Sequence, residues 1–266
     1  LQPDWVWIKN RDAADAHMLF DSTRGVTKNL NSDASAAEVT DTDTLDAFQS
    51  DGFRVDADVK VNTNAEKYVA WQWLCNGGTN ETAVTESGNN PGNTRQTNAA
   101  AGFSIISYVG TGAAGTIAHG LGVVPEWIIV KGMDVATDGM VYHGANTAAP
   151  ETDALTLPET SATSDNAGWW NDTAPTSSVF TLGDHDRVNK DGSTYIAYCF
   201  APIQGYSKFG SYTGNANADG VFVYLGFSPA WLMVKNTESA NVWQVYDNKR
   251  GMPNPNTHRI NVNTSD

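Results

Sequence analysis

Positive charge is scarce in this sequence: 16 Lys and Arg stand against 30 Asp and Glu, which gives a formal net charge of −14. Nucleic-acid binding depends mainly on cationic contacts with phosphates, so this balance argues against a nucleic-acid partner. No apolar run approaches the roughly 18 residues that a membrane span needs, so membrane insertion is not expected. Acidity does favour solubility at high local copy number.

Cysteine is also rare. Cys75 and Cys199 lie at the ends of two similar segments, residues 68–71 and 195–198. One thiol at a matching place in each segment suggests a small core residue, and a Cys75–Cys199 disulfide is the less favoured alternative. Cysteine usage therefore does not indicate the redox compartment.

What the sequence has in abundance is Asn, Thr, Ser, Gly and Asp, with few stretches that favour a helix. These residues suit turns and pleated strands, so we predict an all-β fold. The predicted strands cover residues 6–9, 17–21, 52–56, 68–73 and 222–225. A single helical turn is predicted at residues 35–38, and a long loop or linker at residues 76–100.

A repeated motif is the strongest feature. Pro, then Trp two positions later, then an apolar run that ends in Lys occurs at residues 3–9, 125–131 and 229–235, with the tryptophans at Trp5, Trp127 and Trp231. An aromatic residue follows 17 positions after each proline, at Phe20, Tyr142 and Tyr246. We interpret the three tryptophans as core or inter-unit packing positions.

The spacing predicts tandem β-sandwich or jelly-roll-like units of about a hundred residues. Unit A covers residues 1–98 without its opening strands, unit B covers residues 99–203, and a partial unit C covers residues 204–266. Both ends fall inside units, so we expect the sequence to be a piece of a longer repetitive protein.

Several phrases resemble a repeat domain of marine bacteriophage virion proteins, including tail-fibre-like proteins. They are residues 5–11, 17–25, 50–53, 68–71, 205–215 and 246–250, and the resemblance covers nearly the whole chain. It implies a virion surface location and no assigned catalytic residues. Unit B departs from the pattern at Tyr142-His143-Gly144-Ala145, which a structural repeat tolerates better than an enzymatic site would.

The local feature of most functional interest is Trp169-Trp170-Asn171-Asp172. Two adjacent tryptophans in a polar loop do not easily face one core, and exposed aromatics beside Asn and Asp can stack on a sugar ring. Tryptophan is also enriched at protein interfaces. Interface or internal packing and glycan contact both remain open.

Other charged groups have simpler explanations. Asp21 with Arg24, and Asp247 with Arg250, recur at one position of the repeat, so we interpret each as an ion pair that holds a turn. Residues 183–187 combine two carboxylates with His185, but no second His or Cys stands nearby at ligand spacing. We predict no metal site, no cofactor and no catalytic residues.

The leading hypothesis is a non-enzymatic phage tail fibre or appendage that attaches to the host, with host surface glycan as a possible ligand. Its expected partners are other virion proteins and itself, as a homo-oligomer such as a trimer. The alternatives are a capsid decoration or head-fibre protein, a glycan-degrading fibre enzyme and a cellular adhesin. All of them imply a virion-surface or extracellular location.

Overall fold

The computed structural model describes residues 2–251 and 255–266, and strands dominate it. About 34% of residues are in strands and 6% in helix, which confirms the all-β prediction. In chain order the strands are β1 (Trp5–Asn10), β2 (Met18–Asp21), β3 (Lys28–Asn29), β4 (Val39–Thr40), β5 (Leu45–Gln49), β6 (Gly52–Val55), β7 (Tyr68–Trp73), β8 (Asn93–Asn98), β9 (Phe103–Val109), β10 (Gly115–Ala118), β11 (Trp127–Gly132), β12 (Met140–His143), β13 (Asp153–Thr156), β14 (Ser164–Asp165), β15 (Val179–Leu182), β16 (Thr194–Phe200), β17 (Trp231–Val234), β18 (Gln244–Asp247) and β19 (Arg259–Asn261).

The helices are single turns. They are α1 (Val59–Asn62), α2 (Ala167–Trp170), α3 (Asp186–Asn189) and a 3₁₀ turn at Pro150–Thr152. Within the described ranges, none of them has the length or the apolar content to cross a bilayer.

Three sheets carry the fold. The largest has seven antiparallel strands in the order β14-β13-β12-β11-β16-β9-β8, and two smaller ones have the orders β2-β1-β7 and β17-β18-β19. Two-stranded sheets, β10-β15, β5-β6 and β3-β4, complete the structure. The Pro-x-Trp motif leads into β1, β11 and β17, so the repeated sequence places one strand in each of the three main sheets.

Pairing is equivalent on one side of these three strands. Trp5 lies opposite Asp21, Trp127 opposite His143, and Trp231 opposite Asp247. On the other side, β1 pairs with β7 and β11 pairs with β16.

Three local predictions from the sequence were wrong. Residues 35–38 form no helix, and residues 222–225 form no strand. Residues 76–100 are not only a linker, because they contain β8, which pairs along its length with β9. The predicted boundary between residues 98 and 99 therefore falls inside a hairpin.

One hydrophobic core draws on all three predicted units. Its members are Trp5, Trp7, Leu19, Leu30, Trp71 and Cys75 from unit A, Phe103, Ile105, Trp127, Ile129, Val141, Leu155, Leu157, Ile196, Tyr198 and Phe200 from unit B, and Trp243, Val245, Ile260 and Val262 from unit C. Two further clusters lie on the opposite faces of β1 and β11. The three main sheets thus share one core, and the sheets of units A and B each cover a second core on their other face.

Candidate functional site

The first cluster of charged groups lies in the turn after β2. Asp21 accepts hydrogen bonds from the backbone N–H groups of Thr23 (3.1 Å) and Arg24 (2.9 Å) and from Nε of Arg24 (2.5 Å). The Asp21 side chain is fully buried, and that of Arg24 is 2% exposed. A buried carboxylate needs such partners, because its desolvation costs several kcal/mol.

The turn after β18 repeats this arrangement. Asp247 accepts from the N–H groups of Lys249 and Arg250 (3.0 Å each) and from Nε of Arg250 (2.5 Å). The second guanidinium nitrogen also repeats its contact: Arg24 donates to the carbonyl of Leu19 (3.0 Å) and Arg250 to that of Val245 (3.2 Å). The same sequence phrase therefore folds to the same turn.

Each aspartate also binds an aromatic donor from another predicted unit. The Tyr198 hydroxyl in β16 donates to Oδ2 of Asp21 at 2.7 Å. The Trp71 indole in β7 donates to Oδ2 of Asp247 at 3.1 Å. Tyr198 lies opposite Ile129 and Trp71 opposite Trp7, the third residues of their central strands. The two turns thus make equivalent contacts between units. The Asp21 turn links unit A to unit B, and the Asp247 turn links unit C to unit A.

Electrostatics favour the charged forms of Arg24 in the first turn and Asp247 in the second. Burial alone lowers the pKa of Arg24, but the charge of Asp21, with smaller contributions from Tyr198 and Glu38, outweighs it and raises that pKa. Burial raises the pKa of Asp247, yet its hydrogen bonds, above all from Arg250, bring that pKa below its usual value. In unit B, Nδ1 of His143 replaces the carboxylate oxygen and accepts the N–H of Ala145 at 3.1 Å.

Two of the three lysines that end the repeated motif bind another unit, whereas Lys9 binds carbonyl groups within unit A. Nζ of Lys131 donates to the carbonyl of Ala34 at 3.1 Å, and Nζ of Lys235 donates to that of Thr160 at 3.1 Å. Burial lowers the pKa of Lys131 to about 8. These bonds join unit B to unit A and unit C to unit B.

Sequence reasoning missed Asp4. Its buried carboxylate accepts from the Ser22 hydroxyl (2.7 Å) and from the backbone N–H groups of Cys75 (2.6 Å), Gly77 (2.9 Å) and Gly78 (2.6 Å). The corresponding positions of the other two motifs hold Glu and Ala. This single residue fixes the exit of β7 to the entry of β1.

His17 was also missed. Its Nδ1 accepts the indole N–H of Trp7 at 2.9 Å, so Nε2 carries the proton and donates to the carbonyl of Asn261 at 3.0 Å. Burial lowers the pKa of His17 to about 3. A neutral imidazole therefore bridges β1 and β19. Trp7 is ten residues away but Asn261 is 244 residues away, and no local pattern marks the second partner.

Of the two alternatives left open for residues 169–172, the structure shows internal packing for both indoles. Trp169 and Trp170 form the end of α2 and are only 5% and 2% exposed. Nε1 of Trp170 donates to the carbonyl of Asp153 at 2.9 Å, and the Trp169 ring packs against His185 at 4.2 Å between centroids. Asn171 and Asp172 are exposed and have positive φ angles of 52° and 44°. The indoles therefore offer no stacking surface.

Residues 183–187 lead into α3, with His185 as its N-cap. Nδ1 of His185 accepts the N–H of Arg187 at 3.1 Å, and Arg187 pairs with Asp138 at 3.1 Å. In the part of the chain that the structure describes, no three His, Cys, Asp or Glu side chains lie close enough to hold a metal ion.

The three tryptophans of the motif lie around the shared core. Trp5 stacks on Tyr198 with ring centroids 4.6 Å apart, and Trp127 packs on Phe200 at 4.8 Å. Trp231 meets Trp73 edge-on at 5.7 Å. Each of the three tryptophans contacts a unit other than its own, because Trp127 also packs against Trp231 with ring centroids 6.3 Å apart.

A cleft of about 390 Å³ opens where the end of β1 meets unit C. Its wall carries the side chains of Arg11, Asp12, Arg250, His258 and Asp266. Charges of both signs are mixed there, and Arg250 is already engaged by Asp247.

Comparison with curated proteins gives no match, and comparison with solved structures gives none either. A family model described as a domain of unknown function, DUF7483, matches residues 1–266. The chain therefore belongs to the DUF7483 family.

Proposed function

We propose that this protein is a non-enzymatic structural component of a bacteriophage virion surface, in a tail fibre or similar appendage that takes part in host attachment. The observation that carries the proposal is that the buried charged groups make structural contacts within the fold. Asp21, Arg24, Asp247, Arg250 and Asp4 all hold strands and turns together. A rigid β-rich body of this kind suits a particle that must survive outside a cell.

The proposal includes a repeated architecture of β-sandwich-like units. Positions 127 residues apart support it. The Tyr68 hydroxyl donates to the Val59 carbonyl (2.6 Å) and accepts the Thr63 N–H (2.8 Å). The hydroxyl of Tyr195 makes the same two contacts with α3, at 2.5 and 2.9 Å.

Host surface glycan is the proposed ligand class, contacted by exposed loops and not by the buried indoles of α2. Virion proteins and further copies of this chain are the proposed partners. The net charge of −14 favours solubility where many copies stand close together.

The test is the copy number of this protein in purified phage particles, measured by quantitative mass spectrometry against the major capsid protein. A small number, consistent with one appendage, supports the proposal. A number that matches the capsid lattice replaces the fibre with a capsid decoration, and absence from particles leaves a cellular adhesin. Release of sugar from host polysaccharide by the purified protein would overturn the non-enzymatic assignment.

A further inference from the structure

The sheet of unit C differs from the other two on one side. β1 lies between β2 and β7, and β11 lies between β12 and β16. β17 pairs with β18, but among the described residues no strand lies on its other edge. The N–H of Asn248 donates to the carbonyl of Ala230 at 3.0 Å. Because backbone direction alternates along an antiparallel strand, the backbone groups of Trp231 and Met233 face the open edge.

The side chain of Leu232 in β17 is more exposed than its counterparts in β1 and β11. Leu232 is 43% exposed, whereas the equivalent residues Val6 and Ile128 are 0% and 1% exposed. Val6 is buried in the separate hydrophobic cluster of unit A, and Ile128 is buried in that of unit B. The outer face of β17 therefore presents apolar surface that its counterparts bury.

The segment before β17 is exposed as well. Phe222 is 86% exposed and Tyr224 71%, with Val221 and Val223 at 42% and 43%. In unit B the corresponding strand, β10, is paired with β15, and β15 leads through α3 into β16. Among the described residues, unit C thus has no counterpart of β16 beside β17 and no counterpart of β15 beside residues 221–224.

The strands that occupy this place in the other sheets share one pattern. β7 reads Tyr68-Val69-Ala70-Trp71, and β16 reads Tyr195-Ile196-Ala197-Tyr198. Ala70 and Ala197 lie opposite Ile8 and Val130, while the aromatic residue that follows lies opposite the third residue of the central strand and faces the shared core. At the equivalent positions β17 has Val234 and Met233, and Met233 packs against the shared core as Trp7 and Ile129 do.

We propose that the open edge of β17 and residues 221–224 together form an acceptor site for a polypeptide segment of the type strand, single helical turn, strand, whose second strand carries Tyr-x-Ala-aromatic. The second strand pairs antiparallel with β17, and the first pairs with residues 221–224. Strand addition to a sheet edge gains backbone hydrogen bonds, and the alternate side chains set the specificity.

The experiment uses the 266-residue chain and a fluorescent synthetic peptide with the sequence of residues 177–201, which spans β15, α3 and β16. Fluorescence anisotropy measures binding, and hydrogen exchange locates it. The expected result is saturable one-to-one binding, with slowed exchange at the amides of Trp231 and Met233 and in residues 221–224. A peptide of the same composition in scrambled order is the ligand control.

The variant Phe222→Ser/Tyr224→Ser removes two exposed side chains, so its fold should persist, and we expect at least tenfold weaker peptide binding. Val39→Ser, at another exposed site, should bind like the parent chain. Equal binding of the scrambled peptide, or no protection at β17, overturns the proposal. Self-association through β17 that the peptide does not disperse also overturns it. None of these outcomes depends on the proposed virion role.

Discussion

The Tyr198 hydroxyl donates a hydrogen bond of 2.7 Å to the carboxylate of Asp21, which lies 177 residues earlier in the sequence. The bond joins β16 to the turn after β2, and both groups are buried. Replacing the tyrosine removes the donor and leaves the carboxylate buried with one partner fewer.

We expect Tyr198→Phe to lower the free energy of unfolding by about 1.5–3 kcal/mol, the usual cost of losing a hydrogen bond to a charged group. Urea unfolding followed by tryptophan fluorescence measures the loss. Tyr206→Phe is the matched control, because Tyr206 is 58% exposed. If both variants unfold at the same urea concentration, the bond contributes nothing to stability.

Arg24→Met should be more damaging, by about 3–5 kcal/mol, since it leaves Asp21 charged and buried without its counter-ion. The double variant Asp21→Asn/Arg24→Met should lose less than the sum of the single losses. Arg54→Met is the control, because the pair of Arg54 with Asp46 is largely solvent-exposed and should contribute only about 0–1 kcal/mol. Additive losses in the double variant would show that the two buried side chains act independently.

His17 should make the protein sensitive to acid. Its pKa is about 3 in the folded chain and about 6.5 when unfolded, so the unfolded chain binds the extra proton first as pH falls. The stabilisation is complete above pH 6.5 and is lost as pH falls toward 3, with about 2 kcal/mol lost between pH 7 and pH 5.

His17→Gln should flatten this part of the stability profile, measured as urea midpoints at half-unit steps of pH. His258→Gln should leave it unchanged, because His258 is exposed. Parallel profiles for the parent chain and His17→Gln would contradict the prediction.

The tryptophans of α2 should act on stability. We expect Trp170→Ala to cost about 3–5 kcal/mol, because it opens a cavity and leaves the carbonyl of Asp153 without its donor. Phe222→Ala should change stability by no more than about 0.5 kcal/mol, since that ring is 86% exposed. Thermal unfolding of both variants compares them, and an unchanged melting temperature for Trp170→Ala would disprove its packing role.

Patterns confined to a few neighbouring residues were sufficient to place β1, β6 and β7. Period-two alternation and the Pro-x-Trp motif depend on side chains that are close in sequence, and a buried strand imposes them directly. The equivalence of Asp21 and Asp247 was visible for the same reason, because the turn that each one holds is only four residues long.

Interactions between distant residues were not visible. The sequence around Trp169 reads as a polar loop, yet one helical turn with left-handed Asn171 after it turns both indoles inward. Residues 222–225 alternate like a strand, but none of the residues that the structure describes pairs with them as a strand. The roles of Asp4 and His17 depend on groups 71 and 244 residues away, which no local period encodes.

The shared core has a consequence for synthesis on the ribosome. The hydrogen bond between Trp7 and His17 can form soon after both are synthesised. The bond from His17 to the carbonyl of Asn261 can form only 244 residues later. Val262 and Trp243 must also arrive before the interior closes around Leu30 and Trp71. While the residues between Leu30 and Val262 are being translated, the nascent chain therefore carries an unfinished apolar surface, and this core closes only after the last of them has joined it.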